Sequence, residues 1–162
     1  MIMNVCRASR GFTLIELVVT VAIVGLLAGI AVPTVQLVVQ RSNEQQLRAA
    51  LGDIRRGIDA YKQAFDDGRM LKSADASGYP PSLRVLVEGV DDAKSAQKRK
   101  IYFLRRIPRD PMSLDTSSSP DQTWGVRGYD SDADDPREGR DVFDVYSKSR
   151  GIGLNHVPHK QW

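Results

Sequence analysis

The densest group of side chains able to do chemistry is acidic. Asp130, Asp132 and Asp134 alternate along the chain, and Asp135, Glu138 and Asp141 follow. Alternate carboxylates can converge on one hard cation, and all-oxygen donors of this kind suit calcium. The turn glycine and closing glutamate of an EF-hand loop are absent, so a solvated acidic loop is the competing reading. His156 and His159 are the only histidines, with Pro158 between them. On a helix they could share a metal, but the proline opposes a helix and no cysteine assists. Lys98, Arg99, Lys100, Arg105, Arg106 and Arg109 cluster around Tyr102 and Phe103, a mixture found on nucleic-acid faces and on ordinary solvated or docking surfaces alike. The sequence holds no serine–histidine–aspartate, cysteine–histidine, phosphate-loop or paired-carboxylate motif, so the reading is of a non-enzyme.

One further carboxylate is set apart by its surroundings. Glu16 stands at the head of an apolar run, and from Leu17 to Gln40 there is no charged residue. As a helix that run extends about 36 Å, enough to cross a hydrocarbon core of about 30 Å. A carboxylate so placed costs a few kcal/mol and is expected to find a partner, or else to reach for water at the interface. Arg7 and Arg10 precede the run with no acid beside them, which favours a cytoplasmic N-terminus and puts the rest of the chain across the membrane. An ordinary secretory signal has an apolar region of about 7–15 residues and is cut after it. The run here is longer, and Ala28-Gly29-Ile30-Ala31 is its only plausible cleavage patch of that kind. A plain signal anchor fits the hydropathy equally well.

The remaining residues must build the domain that this segment carries. The length of 162 residues suits one modest domain with an extended element. Without Arg7 and Arg10 the formal charge of +3 falls to +1, so nothing in the charge balance calls for a nucleic-acid partner. Cys6 is the single cysteine; no internal disulfide can form, and packing or a metal must hold the domain. Pro33 predicts a kink rather than a stop, since membrane helices tolerate proline. Beyond Arg41-Ser42-Asn43-Glu44-Gln45-Gln46, the residues Leu47, Leu51, Ile54, Ile58, Tyr61 and Phe65 recur at helical spacing. They form one stripe, too short for a coiled coil and suited to packing on the chain's own globule. Asp67-Gly68 marks its end. Tyr79-Pro80-Pro81-Ser82 opens a short helix with Leu83, Leu86, Val87 and Val90 on one side. Trp124–Arg127 and Val142–Ser147 read as strands, the latter with Phe143 and Val145 on one face. The fold class is α+β: a long N-terminal α-helix, transmembrane then amphipathic, packed on a small antiparallel β-sheet of two or three strands.

The order Arg10-Gly11-Phe12-Thr13-Leu14-Ile15-Glu16-Leu17 resembles the N-terminal signature of type IV pilins and type II secretion pseudopilins. The resemblance implies a leader of residues 1–11, cut by a prepilin peptidase between Gly11 and Phe12, with Phe12 then N-methylated. It implies a transmembrane and polymerisation helix over 12–40, an amphipathic helix over 41–66 and a periplasmic globular region over 67–162, the whole a pilin-like lollipop. Glu16 would pair with the N-terminal amine of Phe12 in a neighbouring subunit and set axial register. Tyr61-Lys62, Gly68-Arg69, Tyr79-Pro80, Ile107-Pro108-Arg109-Asp110-Pro111, Asp141-Val142-Phe143 and Trp162 resemble the major, G-type pseudopilin. Such a subunit sits in the inner membrane with its leader cytoplasmic. It polymerises with itself and other pseudopilins on an inner-membrane secretion platform, and the periplasmic fibre helps drive folded proteins across the outer membrane. The alternatives are a major or minor type IV pilin and a DNA-uptake pseudopilin. Family members hold calcium in a C-terminal loop, but the matching stretch, Ser149 to Pro158, has no carboxylate. That leaves Asp130, Asp132 and Asp134 as the calcium candidates.

Overall fold

The computed structural model describes residues 11–71, 76–97 and 99–162, apart from the side chains of residues 30–34. Most of the expected leader, with Cys6, Arg7 and Arg10, lies outside the described residues, as does Lys98 of the basic cluster. The chain divides into two compact units, Met1–Val39 and Gln40–Trp162. The helix α1 runs from Leu14 to Asp66 and continues past Pro33. It ends where the sequence places its stop. Gly68, at φ 68°, donates its N–H to Phe65 O at 3.0 Å, and Arg69 donates to Ala64 O at 3.0 Å. This is a Schellman closure, in which a glycine takes the left-handed conformation and the last carbonyls find donors.

Within the second unit, the amphipathic part of α1 supplies one wall of the core. Leu47, Leu51, Ile54 and Ile58 are buried, and they pack with Ala50, Leu83, Leu86, Trp124, Val142 and Val145. The stripe therefore packs on its own globule, as its limited length implied. The short helix α2, Leu83–Glu88, follows Tyr79-Pro80-Pro81-Ser82 and buries Leu83 and Leu86. Val90, read as its continuation, instead lies in the strand β1 (Val90–Asp91), which pairs antiparallel with β2 (Lys100–Ile101). Gly89 ends α2 at φ 74°, so the helix cannot reach Val90. Strands of two residues are too short to show a period, which hid this hairpin from sequence reading.

A second antiparallel pair forms between β3 (Trp124–Arg127) and β4 (Asp144–Ser147), with Trp124 opposite Ser147 and Val126 opposite Val145. β4 starts two residues later than expected. Val142 donates its N–H to Pro80 O at 2.8 Å, which draws that end of the segment toward the entry to α2. Phe143 turns instead to Tyr79 and Tyr129, at ring separations of 5.0 and 5.5 Å. Gly125 is required by close approach: an added Cβ would meet the Tyr146 ring at 2.3 Å. The architecture is α+β, a long N-terminal helix packed with small antiparallel sheets.

Polar locks join these layers. Arg55 on α1 donates through Nε to Asp144 Oδ1 at 2.7 Å and through Nη2 to Trp162 O at 2.8 Å. Buried Asp110, in the Ile107–Pro111 turn, accepts Met112 N–H at 2.8 Å and Ser147 Oγ–H at 2.7 Å. Trp124 Nε1–H donates to Pro108 O at 2.8 Å. That turn is thereby fixed to both strands of the second pair. Arg69 pairs with Asp92 at the base of the hairpin, and its guanidinium holds the Asp92 carboxyl below its ordinary range.

Two outcomes follow. Ile54 is 0% exposed, so Ile54→Ala should lose about 2–5 kcal/mol of stability in urea unfolding, whereas Val38→Ala, on the exposed helix surface, should leave the midpoint unchanged. The Asp92 contribution belongs to the carboxylate. It is present above the ordinary carboxyl range near pH 4 and is lost as pH falls through the lower folded value. The difference in urea midpoint between wild type and Arg69→Gln should therefore narrow on acidification below about pH 4, with wild type the more stable at neutral pH.

Candidate functional site

The residues expected to serve cleavage and assembly lie at and just ahead of the start of α1. Thr13 precedes the first helical turn, and its Oγ1 accepts the Glu16 N–H at 3.3 Å, while Leu17 N–H bonds Thr13 O at 3.2 Å. Thr13 with Glu16 three residues on is the pattern of a helix N-cap, which satisfies one of the free N–H groups of the first turn. Gly11, Phe12 and Thr13 are non-helical and exposed, so the Gly11–Phe12 bond sits just ahead of the helix. An added Cβ at Gly11 would meet nothing within 4 Å. The fold thus makes no demand for glycine there.

The helix surface that follows has no partner within its unit. Phe12 is 82% exposed, and Val18, Val21, Leu26, Val35 and Val38 are all exposed. A helix apolar on every side belongs in a lipid or protein interior, not in water. Among the described residues no helix is long and apolar enough to cross a membrane; the apolar run of the sequence includes residues 30–34, whose side chains are not described.

The acidic segment is organised by hydrogen bonds of its own. Asp132 Oδ1 accepts the Asp134 N–H at 3.2 Å, Asp135 pairs with Arg137 at 2.6 Å, and Asp141 Oδ1 accepts the Tyr129 N–H at 2.9 Å. Ser131 Oγ accepts the Arg137 N–H at 2.8 Å. Asp130, Asp132 and Asp134 are exposed, and among the described residues no group of three or more histidine, cysteine, aspartate or glutamate side chains could hold a metal. Alternation along the chain therefore does not bring these carboxylates to one point.

At the C-terminal loop the structure joins residues that sequence reading did not. His159 is buried beside Glu44 of α1, with Nε2 at 3.8 Å from Oε1, and Ser149 Oγ lies 3.2 Å from Nδ1. Glu44 Oε1 also accepts the Leu154 N–H at 2.8 Å. A serine, a histidine and a glutamate in line share components with a nucleophilic triad, but Ser149 Oγ already accepts the Gly151 N–H at 3.1 Å and serves as a turn cap. A signal for Glu44 was available. It lies three residues before Leu47, in register with the apolar stripe, and a carboxylate at a core position needs a partner. His156, by contrast, is exposed and sits at φ 61° in the turn. The two histidines do not come together on a helix.

The model of the prokaryotic N-terminal methylation motif matches residues 6–32. The type II secretion system core protein G of Klebsiella pneumoniae is 28% identical over 113 residues, covering 67% of this chain and 73% of that protein. The core protein G of Vibrio cholerae is 28% identical over 116 residues, 70% and 72% of the two chains. The type IV major fimbrial protein FimA of Dichelobacter nodosus is 44% identical over 50 residues, 31% of this chain and 32% of FimA. No solved structure matches.

The cap at Thr13 carries its own test. In detergent micelles, Thr13→Ala should speed amide exchange at Glu16 by several-fold, in keeping with a cap worth about 1 kcal/mol, and leave the thermal midpoint of the globule unchanged.

An N-terminal methylation motif, an exposed apolar helix behind it and similarity to two core proteins G over two thirds of the chain are what this protein has in common with type IV pilin-like proteins of the pseudopilin kind.

Proposed function

We propose that this chain is a structural subunit of a type II secretion pseudopilus, of the major G type. The observation that carries this reading is the extent of the similarity. A match of 113 residues to a core protein G exceeds the 53 residues of α1, so it takes in the globule. The 50-residue match to FimA is no longer than the helix that pilins and pseudopilins share. A type IV pilin is the second reading, supported by the higher identity over that shorter stretch.

In this role a prepilin peptidase cuts the exposed Gly11–Phe12 bond and methylates the new amine of Phe12. The segment from Phe12 to about Gln40, helical from Leu14, anchors the subunit in the inner membrane, with the globule in the periplasm, until a secretion platform extracts it into a fibre of like subunits and other pseudopilins. Glu16 then meets the Phe12 amine of a neighbour. Two opposite charges brought together in an apolar interior fix register, because a subunit one step out leaves both unpaired. The work is mechanical, a fibre advancing folded proteins, and no residue of the chain is assigned a catalytic role. Calcium in the segment Asp130–Asp141 has no supporting geometry and forms no part of this reading.

Gly11→Val should accumulate as an uncut inner-membrane precursor with a globule of wild-type stability, while mass spectrometry of wild type finds methylated Phe12 as the first residue. An N-terminus beyond Ala31 would remove the reading altogether. Glu16→Ala should be inserted and cut normally yet yield no fibres on overexpression, and a strain dependent on it should retain its secreted enzymes. Normal fibre yield from that variant would place register elsewhere.

A further inference from the structure

The C-terminal loop from Ser149 to Pro158 returns the chain to α1 and is closed by a small set of contacts. The Gly153 N–H bonds Val157 O at 2.9 Å and the His159 N–H bonds Gly151 O at 3.0 Å, while Ile152 and Pro158 form an isolated bridge. These bonds shape the loop but do not attach it to the helix. Attachment falls to Glu44, whose side chain is 6% exposed, and to His159, also 6% exposed.

Calcium does not fit here. The loop offers no carboxylate, two of its main-chain oxygens, Gly151 O and Val157 O, already accept hydrogen bonds, and among the described residues Glu44 is the acid that hydrogen-bonds it. A divalent ion bound at one buried carboxylate would keep most of its charge uncompensated.

The side chains form a continuous polar chain of their own. Ser149 Oγ accepts the Gly151 N–H at 3.1 Å and lies 3.2 Å from His159 Nδ1. Ser149 Oγ donates to Nδ1 or accepts from it according to the imidazole tautomer, and joins the loop to His159 in either case. Nε2 is buried with no hydrogen-bond partner among the described residues, and Glu44 Oε1 stands 3.8 Å from it, within ion-pair distance but beyond hydrogen-bond reach. The carboxylate is completed by the Leu154 N–H at 2.8 Å and the Gln40 amide at 3.0 Å. The Trp162 ring meets His159 edge-on at 5.1 Å and is itself covered by the Arg48 guanidinium at 4.4 Å, which shields the pair from solvent.

We infer that the Glu44–His159 pair locks the C-terminal loop onto α1 in the place of a bound cation, so that this subunit folds its C-terminus without metal. The lock joins residues far apart in sequence, and a buried carboxylate 3.8 Å from a buried imidazole offsets part of the desolvation of both. Loss of His159 leaves Glu44 with the Leu154 and Gln40 donors alone, and loss of Glu44 removes the charge beside the buried Nε2, so the two contributions are non-additive. The inference concerns closure of the globule and does not rest on which fibre the subunit enters.

The test uses the full chain in detergent micelles, with amide exchange at Leu154 and His159 and the thermal midpoint followed in millimolar calcium and in chelator. Wild type should give the same exchange and midpoint in both. His159→Phe keeps the ring against Trp162, and Glu44→Gln keeps the side-chain length. Each should speed exchange at Leu154 by about tenfold or more, and the double variant should be no worse than the worse single. A calcium-dependent midpoint or slower Leu154 exchange in calcium would overturn the proposal, as would effects of the two substitutions that simply multiply. If a variant does not fold, the wild-type comparison of calcium with chelator still decides.

Discussion

Leu47, Leu51, Ile54 and Ile58 lie along one face of α1, and the rest of the second unit is arranged to keep water from them. α2 covers them with Leu83 and Leu86, and the β3–β4 pair with Trp124 and Val145. Neither sheet has more than two strands, and a two-stranded ribbon has little stability of its own in water. The strands therefore depend on the helix for a surface to bury against. Because no internal disulfide can form from one cysteine, the hydrophobic face of a single helix carries a duty that small exported domains otherwise share with covalent links.

Buried polar groups give that apolar contact its geometry. Arg55 reaches from α1 to Asp144, Val145 O and Trp162 O. Asp110 holds the Ile107–Pro111 turn to β4 through Ser147, while Thr123 Oγ1 accepts the Asp110 N–H. Apolar packing tolerates sliding, whereas a buried carboxylate with two donors tolerates little displacement before a donor is lost. Glu44 and His159 extend the same logic to the last residues of the chain. β4, the Ile107–Pro111 turn and the C-terminal loop are thus each held by a charge-assisted hydrogen bond.

The segment upstream of Gln40 obeys the opposite rule. Its apolar side chains are exposed in the unit they belong to, and its one carboxylate, Glu16, has no side-chain partner among the described residues. The proposed role supplies surroundings for such a segment, in lipid and in neighbouring subunits. In the proposed role, processing and assembly would fall on this exposed segment, apart from the apolar core built by Leu47, Leu51, Ile54 and Ile58.

Much of this was legible in residue order. Continuous apolarity from Leu17 to Gln40, the Arg10–Leu17 motif and the 3.6-residue stripe are local patterns, and each maps onto a helix or onto the matched methylation motif without knowledge of the fold. Gly68 and the Pro80-Pro81 pair act through backbone geometry and were equally readable. The β1–β2 hairpin was not, because two-residue strands carry no period. Neither was the dispersal of Asp130, Asp132 and Asp134, since the spacing of carboxylates does not say whether Arg137, Ser131 and main-chain N–H groups will claim their neighbours first. Most of all, the pairing of Glu44 with His159 depends on bringing two distant ends of the globular unit together. Sequence by itself determined the helix, its exposed apolar half and the motif at its head, because those rest on interactions between near neighbours. Only the tertiary structure decided which acids stand alone and which are locked, because the partner of a buried charge is chosen by what the fold places within a few ångströms of it.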